Sequence, residues 1–363
     1  LLNVVENKEQ ALPESISFSD IFFQLGICYE ELGRWEYSLS VYQKLLKIHE
    51  ENQNLAGQVE AFRRIGRIHD KKGDWEVALS YYQRCLQIIE KHPIKNVRSR
   101  IYNNIGVIYV SKGDLEQALH YFNQTIHSVD SDMGQYDMAH AFTNMGIIAN
   151  MRHDHKAALK HYHQALEIYS QRQDNSDKAR VYLNIGMTQS DLKHWTESID
   201  SFKQCLELAD ESEDKQLIAM AYLNTGKAYA RQEEPSKANE YAIKAYRIFK
   251  RMGDELSLAE VNYVLGLIHG ARDNFQGAAK YLKDSIRVNQ QMDYPEGLAE
   301  SCYTYADLLR ENGDIEQAKE YYQKASEAFE KLKLNEEVEE IKDLINKLSQ
   351  LQDSPTEETT INL

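Results

Sequence analysis

The most constraining feature of this 363-residue chain is a glycine that recurs at a fixed interval of forty residues. The glycines are Gly26, Gly66, Gly106, Gly146, Gly186, Gly226 and Gly266, and Ala306 takes the eighth place. Self-similarity with a period of about 20–50 residues is the signature of solenoids and arrays, which stack copies of one small unit. The sequence therefore predicts one continuous body made of eight repeats.

Each repeat carries further residues in phase with the glycine. A mostly bulky residue precedes it, a small residue follows it by twelve positions, and an aromatic residue is common four positions later. The small residues are Ser38, Ala78, Ala118, Ala158, Ser198, Ala238, Ala278 and Ala318, and the aromatic ones are Tyr42, Tyr82, Phe122, Tyr162, Phe202 and Tyr322. Because glycine inside a helix costs about 1 kcal/mol relative to alanine, its regular recurrence indicates two helices in close contact.

This order of residues resembles the tetratricopeptide repeat, in which a first helix packs against a second helix. The resemblance implies an all-α fold, a right-handed superhelical solenoid of eight tetratricopeptide-type helix pairs. The usual repeat has about 34 residues, so the period of forty predicts longer helices. Turn signals such as Lys-Gly-Asp-Trp at 72–75 separate the two helices, with glycine as a left-handed cap of the first helix and aspartate as the N-cap of the second.

The two ends of the chain differ from the repeats, as the ends of repeat arrays do. The eight repeats are predicted over residues 16–334, and a capping helix with apolar residues on one face is predicted over 335–351. Residues 1–15 are poorly patterned and are interpreted as the remnant of a connection to a missing N-terminal domain. The tail, residues 352–363, has the composition of a disordered segment.

Composition and motifs argue against several classes of function. The net charge of −15 opposes non-specific nucleic-acid binding, which needs a basic surface. No apolar run approaches the roughly 18 residues of a membrane span. The four cysteines form no CxxC pair and are expected to be small buried residues in a reducing cytosol. No catalytic set, phosphate-binding loop or metal-ligand cluster stands out, so no enzyme activity, cofactor or metal is predicted.

The predicted binding surface lies on the first helices, which line the concave face of such superhelices. Two positions before the repeat glycine, four successive repeats carry asparagine: Asn104, Asn144, Asn184 and Asn224. Asparagine is a mediocre helix former, but its amide can pair with both the N–H and the C=O of an extended peptide. Four such residues would hold a segment of roughly ten residues or fewer. Inheritance from a duplicated ancestral repeat is the alternative explanation.

The other residues of this stripe predict the chemistry of the ligand. The middle of the stripe is apolar at Val107, Ile147 and Met187, which suits hydrophobic side chains. The basic residues on or beside the stripe are Arg64, Arg67, Lys71, Arg100, Arg180, Lys227 and Arg231. In an acidic protein, this local reversal of charge is expected to attract an acidic side chain or a terminal carboxylate. The sequence does not decide which end of the stripe binds the carboxylate.

Two segments carry a more specific resemblance, YNNIGVIYVSKGDLEQALHYF at 102–122 and YLNIGMTQSDLKHWTESIDSF at 182–202. They resemble the bacterial peptide-pheromone receptors of the Rap, NprR, PlcR and PrgX group, most of all the repeat domain of the NprR-like proteins. In that group, first-helix asparagines hold the backbone of a signalling peptide, and the resemblance carries this role onto Asn104, Asn144, Asn184 and Asn224. It implies a cytoplasmic quorum-sensing receptor domain that regulates a transcription factor through altered oligomeric state, dimer or tetramer.

The resemblance leaves alternatives open. The DNA-binding domain of such a factor is not identifiable here, so DNA would be bound only through a domain outside this chain, and no membrane partner is expected. A Rap-like protein would instead inhibit or dephosphorylate a sporulation response regulator under control of a peptide. A protein–protein adaptor scaffold is the third possibility. The apolar stripe of repeat 7, with Val264 and Leu267, predicts either a covered region or a self-association surface.

Overall fold

The computed structural model describes residues 18–95, 97–129, 132–172 and 175–353. Across these residues the chain forms 17 α-helices and no β-strand, which confirms the predicted all-α repeat fold. The predicted connecting segment, residues 1–15, and residues 354–363 of the predicted tail lie outside the described ranges. No helix in the described part combines the length and the apolar character that a membrane crossing requires.

The first of two compact units, Leu1–Gln173, contains four helix pairs. Its helices are α1 Phe18–Glu31, α2 Trp35–Glu51, α3 Leu55–Lys71, α4 Trp75–Lys91, α5 Arg98–Ser111, α6 Leu115–His127, α7 Asp132–Met151 and α8 His155–Arg172. Each first helix packs against the second helix that follows it, and each second helix packs against the next first helix.

The second unit, Asp174–Leu363, contains four more pairs and a final single helix. Its helices are α9 Asn175–Asp191, α10 Trp195–Glu211, α11 Lys215–Arg231, α12 Pro235–Met252, α13 Glu255–Gly270, α14 Phe275–Gln291, α15 Pro295–Glu311, α16 Ile315–Leu332 and α17 Asn335–Asp353. The final helix, α17, packs against α16. It buries Val338, Ile341 and Leu348 there, so it covers apolar surface that α16 would otherwise expose.

The repeat glycine lies where the second helix crosses the first most closely. A Cβ atom at Gly106 would lie 2.6 Å from Cε1 of Phe122, far inside the roughly 3.5–4.0 Å at which carbon atoms pack. At Gly226, where the repeat lacks the aromatic residue, the second helix approaches with its backbone, and a Cβ would lie 3.3 Å from the carbonyl oxygen of Ala238. The predicted close packing of first helix on second is thereby confirmed.

The turn from first to second helix places one residue in the left-handed region. Gly33, Gly73, Gly113 and Gly313 have φ between 65° and 85°, as predicted, and His153, Lys193, Glu233 and Asp273 take the same position with φ of 54–60°. The predicted aspartate caps form at Asp114 and Asp314, which accept hydrogen bonds from the amides of Gln117 and Gln317. Asp74 makes no such bond, because its carboxylate lies 3.1 Å from Nδ1 of His69 instead.

The expectation that the cysteines are buried holds for three of the four. Cys85, Cys205 and Cys302 are buried, whereas Cys28 is exposed. Cys28 occupies the slot that Ile68 fills in repeat 2, where the side chain is 1% exposed. That slot is covered by the second helix of the preceding repeat, and α1 has no preceding helix among the described residues.

Candidate functional site

The second unit contains a cavity of about 610 Å³ between its first helices. Most of its lining comes from α9, α11, α13 and α15, the first helices of repeats 5 to 8. Four of the predicted residues lie on its wall: Met187, Asn224, Lys227 and Arg231. The volume falls within the roughly 300–1,000 Å³ that is usual for ligand sites.

Helix α11 contributes its predicted stripe to this cavity. Met220, Asn224, Lys227 and Arg231 are spaced so that they lie on one side of the helix, and all four line the cavity. The opposite side of α11 is buried, for example at Thr225, which is not part of the cavity lining. The sequence therefore folds α11 with one face against neighbouring helices and the other open to the cavity.

One N–H of the Asn224 amide is already hydrogen-bonded within its own helix. Its Nδ2 donates a hydrogen bond of 2.9 Å to the carbonyl oxygen of Met220. The side chain is half-buried, and it retains a carbonyl oxygen and a second N–H. These are the groups that an extended backbone in the cavity would need.

Charge in the cavity is arranged differently from the prediction. The Lys227 ammonium forms an ion pair with Glu260. Burial opposes the charge on this ammonium, but Glu260 and Glu300 outweigh that effect and raise the pKa of Lys227. The basic character expected at Lys227 and Arg231 is therefore offset by acidic residues of repeats 7 and 8.

Of these charged groups, the Glu300 carboxyl has the least compensation from opposite charge. Burial raises its pKa, and the nearby carboxylates of Glu260 and Glu296 raise it further against the opposing effect of Lys227 and Arg231. Glu260 and Glu300 stand six positions before Gly266 and Ala306. They are the first positions of the same stripe in repeats 7 and 8, so its spacing contains the signal, but the prediction for repeat 7 included only the apolar positions Val264 and Leu267.

Two other predicted residues of the second unit do not line the cavity. The Arg180 guanidinium forms an ion pair of 2.9 Å with Asp214, which also caps the start of α11 through the Leu217 amide. Asn184 is half-buried on α9. The two residues of the predicted apolar stripe in repeat 7 have different surroundings. Val264 is fully buried, whereas Leu267 lines the cavity.

In the first unit, the two predicted asparagines have different surroundings. Nδ2 of Asn104 is buried and has no hydrogen-bond partner within the described ranges. Nδ2 of Asn144 lies 3.5 Å from Oδ1 of Asn103, a neighbour that the stripe did not include. Val107 and Ile147, the predicted apolar positions of the same helices, are half-buried. The unpartnered donor of Asn104 is the feature of this unit that most favours a ligand.

The predicted basic residues of the first unit are largely paired with acids. Both Arg64 and Arg67 contact the carboxylate of Glu30, which is buried. Arg64 also bonds Glu60 of its own helix at 3.1 Å. Lys71 is exposed. The expectation of an open basic surface is thus wrong for the two arginines, because an acidic residue of repeat 1 lies between them.

Arg100 is paired in the same way within the first unit. Its Nε lies 3.4 Å from Oδ1 of Asp137, a buried aspartate that also accepts a hydrogen bond of 2.8 Å from the Ser99 hydroxyl. This pairing joins α5 to α7. The guanidinium of Arg100 therefore serves the packing of successive first helices.

Comparison with known proteins agrees with this architecture. The tetratricopeptide repeat family matches residues 18–91, 137–211 and 177–251, and a second family of the same repeat matches residues 99–126 and 299–331. No curated protein matches the chain in sequence.

Solved structures with a similar fold include the apo form of RapI, with a TM-score of 0.65 and 16% identity over 76% of this chain and 99% of that chain. NprR in complex with its cognate peptide NprX has a TM-score of 0.61 and 15% identity over 81% of this chain and 84% of that one. A signal transduction ATPase from Pyrococcus horikoshii with a tetratricopeptide repeat sensor has a TM-score of 0.66 and 18% identity over 94% of this chain and 54% of that one.

Identities this low show a shared fold and no more. The family match is stronger evidence, because it spans more than half of the chain and follows the same helix pairs that the structure shows. The protein belongs to the tetratricopeptide repeat family.

Proposed function

We propose that this chain is a cytoplasmic receptor domain that binds a short, extended signalling peptide. The observation that carries the proposal is the cavity of about 610 Å³ formed by successive first helices, with the Asn224 amide on its wall. The fold likeness to NprR, whose structure was solved with its cognate peptide NprX, supports the same reading.

The lining of the cavity suits a peptide better than a small metabolite. Asn224 offers donor and acceptor groups to a backbone, which is common to all peptides. Met187 and Met220 line the same cavity, and methionine adapts its shape to varied apolar side chains. Tyr263 and Leu267 extend this mixed surface onto α13. Affinity would come from the backbone contacts and selectivity from the side chains.

The proposed consequence of binding is a change in assembly. By analogy with the NprR-like group, the chain would regulate a transcription factor through a shift between dimer and tetramer, with DNA bound by a domain outside this chain. A Rap-like role, in which the chain acts on a response regulator, is the alternative that the likeness to RapI favours. Light scattering with and without peptide distinguishes these two roles, because the transcription-factor role requires the mass of the assembly to change when the peptide binds.

Selection from a synthetic library of random heptapeptides tests the proposal. The purified chain should retain a family of related sequences, which mass spectrometry would identify, and Asn224→Ala should retain markedly less. Asn123→Ala is a matched control, because Asn123 makes the same 2.9 Å bond to its own helix but is exposed on α6. Failure of the wild-type chain to enrich any sequence would refute the proposed function.

A further inference from the structure

A second, smaller cavity of about 160 Å³ adjoins the first one and is lined mostly by α13, α14 and α15. The two share seven residues on their walls, among them Lys227, Glu260 and Glu300, so the smaller cavity is a side pocket of the larger. Its inner end is polar and contains Ser285, Asn289 and Ser301, which are 0%, 3% and 1% exposed. Buried polar groups around an open space indicate a site for a polar ligand group.

The inner end of the side pocket presents oxygen atoms. The Ser285 and Ser301 hydroxyls are hydrogen-bonded to each other at 3.0 Å, and Nδ2 of Asn289 donates to Ser285 at 3.3 Å. This amide retains Oδ1, an acceptor, and a second N–H. Gly297 provides the space in front of this amide, because a Cβ there would lie 2.8 Å from both Oδ1 and Nδ2 of Asn289.

The mouth of the side pocket has an excess of negative charge. Its wall carries the carboxylates of Glu260, Glu296 and Glu300 and the single ammonium of Lys227. Lys227 is paired with Glu260, and Glu296 accepts a hydrogen bond of 3.0 Å from the Tyr294 hydroxyl. Glu300 faces the pocket beside these two like charges, with Lys227 as the one cation on this wall.

We propose that this side pocket binds a cationic side chain of the peptide, arginine or lysine. The inference rests on the proposed function and specifies the ligand's chemistry. The methylene groups of the peptide's arginine or lysine would cross the mouth of the pocket. The charged end of that side chain would pair with Glu300 and Glu296, and one of its N–H groups would donate to Oδ1 of Asn289. A guanidinium carries five donors and no acceptor, which matches the carboxylate oxygens and the Asn289 Oδ1 of this pocket. An acidic side chain, favoured by the sequence pattern, would meet like charge here.

The test uses small probes, because it must not depend on knowing the peptide. Nα-acetyl-arginine amide is titrated by ligand-observed NMR beside its neutral isostere, Nα-acetyl-citrulline amide, and beside glycine amide, which carries only an amino-terminal ammonium. The arginine probe should bind at least about tenfold more tightly than citrulline, a difference of about 1.4 kcal/mol. The arginine probe should also bind more tightly than glycine amide, which is too short to reach Asn289.

Variants assign the binding to the side pocket. Glu300→Gln and Glu296→Gln should each weaken the arginine probe severalfold, whereas Glu207→Gln, an exposed residue of α10 outside both cavities, should leave it unchanged. Equal binding of arginine and citrulline, or an arginine affinity that neither variant lowers, would overturn the inference. If library peptides bind but the probes do not distinguish charge, the side pocket fails and the receptor function stands. If the probes behave as expected and no library peptide binds, the receptor function fails.

Discussion

At the residue scale, the repeats differ at the left-handed turn position, where some carry glycine and others carry a residue with a Cβ atom. Lys193 and Glu233 adopt φ of 60° and 59° there, a conformation that costs a residue with a Cβ about 1–2 kcal/mol. Glycine removes most of that cost, although it loses more entropy on folding. We expect Lys193→Gly and Glu233→Gly each to raise the free energy of unfolding by about 0.5–1 kcal/mol.

Urea denaturation measures this effect. Gln232→Gly is the control, because Gln232 precedes Glu233 with an ordinary φ of −84°, and its replacement should lower stability. Equal effects of Gln232→Gly and Glu233→Gly would show that the left-handed backbone is not the cause.

Glu300 gives a pH dependence whose sign follows from its surroundings. Its pKa is raised by burial and by Glu260 and Glu296, against Lys227 and Arg231, so the folded protein disfavours the ionised carboxyl. That destabilisation is present above the folded-state pKa and disappears as the pH falls towards the unfolded value. Glu300→Gln should therefore raise the melting temperature at pH 7, and the gain should vanish at about pH 4. A gain that is constant between these pH values would exclude ionisation as its cause.

At the scale of helices, the contact between the first and second helix depends on the glycine. Gly106→Ala would push a methyl group into the buried ring of Phe122, and we expect a loss of about 1–3 kcal/mol in stability from overpacking. Gly270→Ala is the control, because its nearest neighbour would be 3.9 Å away, and alanine favours the helix. Denaturant midpoints for both variants test the packing, and a loss of stability in Gly270→Ala alone would contradict it.

The elements were largely predictable, because helix pairing depends on local spacing that the sequence displays directly. The period, the close packing of first helix on second at the glycine and the glycine turns were all visible, whereas the aromatic ring as the contacting group was not predicted. Pairing between charges of successive repeats was not, since it joins residues about 36 positions apart. Lys72–Glu36 at 2.6 Å and Arg152–Glu116 at 2.8 Å are examples. Such exposed pairs contribute about 0–1 kcal/mol each, so they leave little trace in the pattern of residue types.

At the scale of the whole molecule, the site was predicted less well than the fold. The stripe of α11 does line a cavity, as its spacing indicated. The electrostatics were not predictable from one stripe, because Glu30 in the first unit and Glu260 in the second come from other repeats and neutralise the predicted cations. Local charge in a repeat protein is set by neighbouring copies as much as by the helix itself.

The final helix, α17, should be necessary for the stability and the solubility of the chain. Removing residues 335–353 would uncover the partners of Val338, Ile341 and Leu348, which are buried in the full chain, and repeat arrays need such caps for solubility. We expect a lower melting temperature and concentration-dependent association, measured by scanning calorimetry and gel filtration. A truncated chain that keeps the assembly state and the melting temperature of the full chain would show that α17 contributes no essential cover.

The central claim is that first-helix side chains of the second unit hold a peptide, with Asn224 contacting its backbone. Calorimetric titration of a library-selected peptide into the wild-type chain, Asn224→Ala and Asn123→Ala tests this most directly. We predict that Asn224→Ala binds about 1–2 kcal/mol more weakly, the scale of a lost buried hydrogen bond, while Asn123→Ala binds like the wild type. Wild-type affinity in Asn224→Ala, or an equal loss in both variants, would contradict the account.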